Sequence, residues 1–261
     1  MISQARLFLC ALQCLTRLPT PRLAGFEPEW IARSAPYYPV VGWLVGALSG
    51  GAFVLASRFW PGLPAAVIAI AIGLLVTGGL HEDGLADTAD GLAGGQTPER
   101  RLEIMKDSRI GGFGVLALWA VLTLKAVVLA SLPPDKVVLA LVLVHGGARA
   151  FTTPIMASLR YVGEPGASKL KAQAMTARAR EAALALVIGL SPFVFWRPAL
   201  QVLIALALAL ALAGVAALAL AARKLIGGFT GDVLGAVEQV AELGLLLGLA
   251  AQDLHALGLH A

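Results

Sequence analysis

Long apolar stretches recur along the chain, separated by polar segments, and several are long enough to cross a lipid bilayer. A transmembrane helix takes about 20 mainly apolar residues. Seven stretches approach or reach that length, at residues 38–57, 62–80, 112–132, 136–158, 181–197, 199–222 and 233–251. We therefore predict an all-α polytopic membrane protein with about seven transmembrane helices, the fifth and sixth joined by a tight turn at Arg197 and Pro198. Residues 1–261 form one integral membrane domain on this interpretation.

The apolar segment nearest the N-terminus differs from the other stretches. It runs from Leu7 to Leu18, is too short to span a bilayer, and ends before Pro19 and Pro21. No small-residue cleavage site follows it, so a signal peptide is not indicated. We predict a short helix that lies at the membrane interface.

The amino-acid composition agrees with a membrane location. Hydrophobic residues make up 58% of the chain and charged residues 14%. Soluble domains contain about 45–50% apolar and about 25% charged residues. These values exclude an ordinary soluble domain and a disordered chain. The two cysteines are too few for a disulfide-stabilised scaffold.

The distribution of basic residues predicts the orientation in the membrane. Fifteen of the twenty Lys and Arg residues lie in alternate loops, and three lie in the loops on the opposite side. The basic-rich loops are 1–37, 81–111, 159–180 and 223–232. Because basic loops stay in the cytoplasm, we predict that the N-terminus is inside and the C-terminus is outside. The net charge of +4 is then explained by membrane topology, with no need for a nucleic-acid partner.

An acidic cluster follows the second apolar stretch. Residues 82–90 contain four carboxylates and no basic residue. Asp83, Asp87 and Asp90 are spaced so that a continuous helix would place them on one face. Oxygen ligands of this kind suit Mg²⁺, which binds one or two carboxylates together with water and phosphate oxygens. We predict that the three aspartates bind a metal and a diphosphate; the alternative is a solvated acidic face.

Two residues beside the aspartates receive different predictions. His81 is expected to be a hydrogen-bonded structural residue. Glu82 points away from the aspartate face by helical geometry, so a supporting or solvated role is expected.

Basic residues after the acidic cluster are candidate phosphate ligands. Arg101, Lys106 and Arg109 precede a glycine-rich segment that opens the third span, and a helix N-terminus attracts anions. The alternative is cytoplasmic charge followed by a helix cap. Asp107 is either a further metal ligand or the ion-pair partner of Arg109. Arg149, inside the fourth span, binds substrate or a buried carboxylate, since an intramembrane arginine needs a partner.

A second acidic motif opens the last span. Thr230 and Asp232 lie at its start, where Asp232 is a functional residue or complements the helix dipole. Glu238 and Glu242 follow on the same helical stripe as Gly231 and Gly235. We predict that the second and last spans meet at the cytoplasmic interface, where these glycines would face Gly84 and Gly91 of the acidic helix and bring Asp232 beside the aspartate cluster. We also predict that Arg149 or Lys125 pairs with one of the two glutamates.

Three segments together resemble the cobalamin (5′-phosphate) synthases, the adenosylcobinamide-GDP ribazoletransferase family. They are residues 81–91, 105–111 and 228–238. The resemblance implies a Mg²⁺-dependent enzyme of the bacterial cytoplasmic membrane with its active site facing the cytoplasm. Its substrates would be adenosylcobinamide-GDP and α-ribazole or α-ribazole 5′-phosphate. It would transfer the adenosylcobinamide phosphate group to the acceptor and release GMP, late in cobalamin biosynthesis.

Site residues can then be given expected roles. The metal ligands are Asp83, Asp87 and Asp90; the substrate-binding residues are Lys106, Arg109, Arg149 and Thr230. Asp90 or Asp232 is expected to accept the proton of an attacking ribazole 5′-hydroxyl.

Two other classes of function stay open from the sequence. Asp87, Asp90 and Gly91 also match the start of the CDP-alcohol phosphotransferase signature, although Ala93-Gly94-Gly95 departs from its continuation. Such a lipid enzyme, or an aspartate-rich prenyltransferase, would share the metal and diphosphate. An ion-coupled transporter could instead use Glu238 and Glu242. The sequence also leaves open whether the protein forms a homo-oligomer.

Overall fold

The computed structural model of the chain describes residues 3–163, 174–194 and 201–251, and the secondary structure of this part of the chain is helical apart from one isolated β-bridge. The α-helices are α1 (Gln4–Leu15), α2 (Trp30–Arg33), α3 (Tyr38–Ser57), α4 (Leu63–Thr77), α5 (Leu80–Gly94), α6 (Pro98–Met105), α7 (Gly112–Ser131), α8 (Pro134–Ser158), α9 (Ala179–Val194), α10 (Gln201–Ile226) and α11 (Gly231–Ala250). A 3₁₀ turn at Ala35–Tyr37 precedes α3. Tyr161 and Phe229 form an isolated parallel bridge that joins the end of α8 to the turn before α11.

Five helices of the described chain are long and apolar enough to cross a membrane: α3, α7, α8, α10 and α11. A sixth span is obtained if α4 and α5 are counted as one bent unit. The prediction of a polytopic all-α membrane protein is thereby confirmed. Sixteen residues of α9 are described, which is fewer than a full span, and the predicted turn at Arg197 and Pro198 lies outside the described residues. The number seven and the orientation therefore stay predictions.

The second predicted span, at residues 62–80, is broken near its end, and a separate helix carries all three aspartates. Helix α4 ends at Thr77, and α5 leaves it at an angle of 91°. Gly78 and Gly79 make the bend because both adopt left-handed backbone angles, with φ of 71° and 68°. Glycine reaches this conformation without the steric cost that a side chain would add. The Arg17 side chain packs against Gly78, and the backbone N–H of Arg17 donates to the carbonyl of Val76 at 2.7 Å.

The N-terminal helix begins and ends three residues before the predicted bounds. Ser3 caps it, since the Ser3 hydroxyl accepts a hydrogen bond from the backbone N–H of Arg6 at 3.4 Å. At the other end, the backbone N–H of Thr16 donates to the carbonyl of Leu12, and Thr16 has an extended conformation. The helix is therefore delimited by its own polar residues, well before Pro19.

Glycines allow the helices of the bundle to approach closely. In lipid, helix association depends on close van der Waals packing, since burying apolar side chains gains little. A methyl group at Gly42 or Gly46 of α3 would overlap the backbone of α8. Gly244 and Gly248 of α11 lie equally close to the backbone of α10. These contacts join α3 to α8 and α10 to α11.

Two glycines of α3 provide a matched test of this packing. Gly46 lies against Leu141 and Val142 of α8, whereas nothing lies within 4 Å of a methyl group at Gly51. We expect Gly46→Ala to destabilise the protein by about 1–3 kcal/mol, because overpacking separates the two helices. Gly51→Ala should leave the stability unchanged or slightly higher, as alanine favours helix. Thermal unfolding in detergent measures both, and equal midpoints for the two variants would contradict the packing described.

Candidate active site

Helices α5 and α11 cross where their glycines meet. A methyl group on Gly84 would lie 2.7 Å from the carbonyl oxygen of Asp232 and 3.1 Å from the Cα of Gly235. A methyl group on Gly235 would lie 3.1 Å from the carbonyl oxygen of His81. The predicted contact is confirmed at Gly84 of the acidic helix and Gly235 of the last helix, whereas nothing lies within 4 Å of a methyl group at Gly231 and Gly91 lies against α6. Because of the contact at Gly84 and Gly235, the start of α11 lies directly beside the acidic helix.

Four carboxylates gather around this crossing. Asp83 is exposed, Asp87 is half-buried and Asp90 is buried. Asp83, Asp90 and Asp232 all lie close enough to Asp87 to interact with it electrostatically. Asp83 also repels Asp232 electrostatically, and Lys106 is close enough to attract it. The two acidic motifs, far apart in the sequence, therefore share one electrostatic environment with an excess of negative charge.

Asp90 is held by the N-terminus of α7. Its carboxylate accepts hydrogen bonds from the backbone N–H groups of Gly111, at 2.7 Å, and Gly114, at 2.9 Å. A methyl group at either glycine would overlap the carboxylate of Asp90, so both positions require glycine. The sequence suggested that this helix N-terminus binds a phosphate or is simply capped. In the structure the anion at this N-terminus is Asp90, which satisfies the free N–H groups and the helix dipole.

The basic residues before α7 differ in their surroundings. Arg109 is exposed and pairs with Asp107 through an Nη2–Oδ2 distance of 2.6 Å. The hydrogen bonds from the Arg109 side chain and backbone lower the pKa of Asp107 to about 2. The structure therefore favours the ion-pair role of Asp107. Arg101 donates to the backbone carbonyls of α5 and α10, which gives it a structural role. Lys106 is exposed on the side of Asp232.

Thr230 positions the start of α11. It is 3% exposed, and its hydroxyl oxygen accepts a hydrogen bond from the backbone N–H of Val233 at 3.1 Å. The same hydroxyl donates to Asp232 Oδ2 at 3.2 Å. Thr230 thus caps the helix and orients the aspartate. Its predicted contact with substrate stays a prediction.

Two buried ion pairs connect α11 to the neighbouring helices. Arg149 of α8 lies with Nη1 2.7 Å from Glu238 Oε1, and Lys125 of α7 lies with Nζ 3.1 Å from Glu242 Oε1. All four residues are at most 4% exposed. The prediction that Arg149 or Lys125 pairs with a glutamate is confirmed, and in fact both do. Arg149 is therefore engaged by a carboxylate, although its Nε has no hydrogen-bond partner within the described chain.

Gln239 links these ion pairs to the acidic helix, and the sequence analysis did not identify it. Its amide nitrogen lies 2.9 Å from Glu82 Oε1 and 2.9 Å from Glu238 Oε2, and its amide oxygen accepts from Lys125 at 3.1 Å. Glu82 is thus a supporting residue in contact with α11, the first of its two expected roles. His81 is also buried, with Nδ1 3.8 Å from Glu238 Oε2, as expected for a structural histidine. The sequence did contain a signal for Gln239, which is a polar residue beside two intramembrane glutamates.

A second group of side chains has the composition of a metal site. The ligand atoms of His145, Glu238 and Glu242 all lie within 4.8 Å of one another. However, Arg149 and Lys125 already balance the two glutamates. A divalent ion placed there would add charge to a buried neutral cluster, which is unfavourable. We therefore interpret this group as part of the ion-pair network.

The three predicted metal ligands are arranged more openly. Among the described residues, Asp83, Asp87 and Asp90 do not form a group whose ligand atoms all lie within 4.8 Å of one another. They share their surroundings with Asp232 and lack a matching number of cations. Excess carboxylate charge and oxygen donors fit a hard cation such as Mg²⁺.

A cavity of about 320 Å³ adjoins the crossing of α5 and α11. Asp83 and Asp232 line it together with His81 and Arg149, and the remaining wall is largely apolar. The acidic motifs are therefore next to a space in which a small organic molecule can bind.

Comparison with known proteins identifies the relatives of this chain. The family described as cobalamin-5-phosphate synthase (CobS) matches residues 7–250. An adenosylcobinamide-GDP ribazoletransferase from Leptothrix cholodnii is 42% identical over 260 residues, covering 96% of this chain and 97% of the relative. Proteins of the same name from Ralstonia pickettii and Shewanella piezotolerans are 40% and 39% identical over 92% of this chain and 93% of each relative. No solved structure matches the chain. The match across nearly the whole sequence shows that this chain belongs to the cobalamin-5-phosphate synthase family.

Proposed function

We propose that this protein transfers the adenosylcobinamide phosphate group of adenosylcobinamide-GDP to α-ribazole or α-ribazole 5′-phosphate and releases GMP. The relatives carry the name of this reaction and are similar over almost their full length. The observation that carries the proposal is the meeting of two acidic motifs beside one cavity. Carboxylate oxygens of the kind that suit a diphosphate-bound metal lie next to a cavity with room for an acceptor, which supports the proposal.

We propose Mg²⁺ as the cofactor, held by Asp83, Asp87 and Asp90. The support is the excess of carboxylates over cations around Asp87. When bound, Mg²⁺ supplies charge neutralisation for the diphosphate. Asp90 would take part through oxygen lone pairs that its two backbone hydrogen bonds leave free.

Other residues of the chain bind the nucleotide and the acceptor and accept the proton. Lys106, beside Asp232, binds the phosphate of the departing GMP. Arg109 is exposed near the same region and adds positive charge for the nucleotide. Arg149 contacts the acceptor from the cavity wall. Of the two predicted proton acceptors, Asp232 is favoured because it lines the cavity, whereas Asp90 is tied to the N-terminus of α7.

The attacking group must be a ribose hydroxyl other than the one at the 5′ position. The family is described by a product that carries a 5-phosphate, so the 5′ oxygen is already occupied when the phosphorylated acceptor is used. We therefore propose this other hydroxyl in place of the 5′-hydroxyl expected from the sequence. The hydroxyl oxygen forms a bond to the phosphorus next to adenosylcobinamide, and the bond from that phosphorus to the GMP oxygen breaks. The hydroxyl proton passes to Asp232.

We propose that the site faces the cytoplasm from the bacterial inner membrane. The loops that flank both acidic motifs are the basic-rich ones, which the positive-inside rule assigns to the cytoplasm. Soluble nucleotide substrates would then reach the site directly. The apolar helices hold the protein in the bilayer.

The donor specificity tests the proposed reaction. With purified protein, α-ribazole and Mg²⁺, adenosylcobinamide-GDP should release one GMP for each adenosylcobalamin formed. CDP-activated alcohols should release no CMP, because the chain departs from the CDP-alcohol signature after Gly91. Chromatographic measurement of GMP, CMP and corrinoid product decides the matter. CMP release without GMP release would instead indicate a lipid-forming enzyme.

Neutral substitutions at the aspartates test the metal assignment. We expect Asp83→Asn and Asp87→Asn each to lower the rate of GMP release by more than about 100-fold. Loss of even the outer partners of a metal costs about 10–100-fold. Glu103→Gln is the matched control, since Glu103 is an exposed acidic residue of α6 paired with Arg100. Size-exclusion chromatography should show all three variants folded. Near-normal rates in both aspartate variants would identify the cluster as a solvated face.

A further inference from the structure

We infer that the cavity beside Asp83 and Asp232 is the binding site of the acceptor nucleoside, with its benzimidazole ring between apolar side chains and its ribose against the two carboxylates. This inference rests on the proposed function and adds the location and chemistry of one substrate. Six helices and a short segment contribute to the cavity wall: α1, α2, α3, α5, α8, α11 and Met175.

The apolar part of the wall suits a planar, largely apolar heterocycle. Its side chains are Leu15, Ile31, Tyr38, Met156 and Met175. Methionine and aromatic side chains pack well against aromatic rings. The hydroxyl of Tyr38 already donates to the carbonyl of Ile31 at 3.1 Å, so its ring face is the surface left for a ligand. A purine such as guanine would need several polar partners for its edges, which this part of the wall lacks.

The polar part of the wall suits the ribose. Asp83 and Asp232 line the side formed by α5 and α11, and their carboxylates can accept hydrogen bonds from hydroxyl groups. This places an acceptor hydroxyl beside Asp232, the proposed proton acceptor. The same side borders Asp87, so the reacting phosphorus would approach from the acidic cluster.

Arg149 provides an independent indication that the cavity binds a polar group. It lines the cavity, is 2% exposed, and its Nε has no hydrogen-bond partner within the described residues. Its Nη1 is occupied by Glu238 and by the carbonyl of His145. A buried N–H without a partner costs free energy, which an acceptor atom of a ligand would recover. A ring nitrogen or a ribose oxygen of the nucleoside is such an atom.

The size of the cavity separates the acceptor from the donor. Its volume is about 320 Å³, at the lower end of the range of about 300–1,000 Å³ for small-molecule sites. A single nucleoside fits this space, whereas a corrin macrocycle with its nucleotide does not. The donor must therefore stay outside and bring its diphosphate to the carboxylates from the side of Lys106.

Ile31→Trp tests the assignment by filling the cavity. Ile31 is half-buried, so a larger side chain can extend into the cavity without entering the protein core. We expect the KM for α-ribazole to rise at least about tenfold, as for other size changes in hydrophobic pockets. The KM for adenosylcobinamide-GDP should stay unchanged. Val67→Trp is the control, because Val67 is half-exposed in a separate apolar groove between α4 and α7.

A second variant covers the case in which Ile31→Trp fails to fold. Ile31→Ala removes side-chain volume from the wall and so enlarges the cavity. It should reduce the preference for dimethylbenzimidazole riboside over unsubstituted benzimidazole riboside roughly tenfold. Unchanged acceptor KM and base preference in the folded variants would overturn the assignment, as would an increase in the donor KM alone.

Direct binding separates this inference from the proposed reaction. Calorimetric titration with α-ribazole alone should show binding to the wild type and to Val67→Trp, and weaker binding to the Ile31 variants. If the wild type makes no product, the proposed reaction fails, and the titration still decides the cavity's ligand. Equal α-ribazole affinity in the Ile31 variants and the wild type would overturn the acceptor site.

Discussion

Two buried ion pairs determine where the last helix lies, and the site depends on that helix. Arg149–Glu238 and Lys125–Glu242 join α11 to α8 and α7 within an apolar bundle. Removing one partner of a buried pair typically costs about 3–5 kcal/mol, because the other charge is left uncompensated. The helix is therefore fixed in depth and rotation. Its first turn, which carries Asp232, is thereby held at the crossing with α5.

The acidic helix reaches this crossing because the chain bends at Gly78 and Gly79. After the bend, Glu82 contacts Gln239 of α11, and Asp90 binds the N-terminus of α7. These contacts fix both ends of the acidic segment 82–90, while Asp83 and Asp87 between them stay accessible. A rigid frame with accessible carboxylates is the arrangement that a metal-dependent transfer requires, since ligands must be positioned before the substrate arrives.

Much of this could be predicted from the sequence because the membrane imposes strong constraints. Long apolar stretches specify helices, and charges at membrane depth need partners, which identified the pairing of Arg149 and Lys125 with the glutamates. The glycines of α5 and α11 indicated their crossing. The 91° bend was not predicted, since a Gly-Gly pair is compatible with both a straight helix and a left-handed turn. The capture of the α7 N-terminus by Asp90 and the cavity wall from α1 and α2 depend on tertiary contacts that no local pattern reveals.

The central claim is that the acidic motifs of α5 and α11 form one active site, with Asp232 close enough to support the metal held by the aspartates of α5, and Mn²⁺ binding measured by electron paramagnetic resonance tests it most directly. Wild-type protein should bind one tightly held Mn²⁺, and Glu103→Gln should bind it equally well. Asp87→Asn and Asp232→Asn should each weaken the affinity at least about tenfold, since both direct and outer partners stabilise a bound metal. Wild-type affinity in Asp232→Asn together with loss of binding in Asp87→Asn would show that the α11 motif lies outside the site.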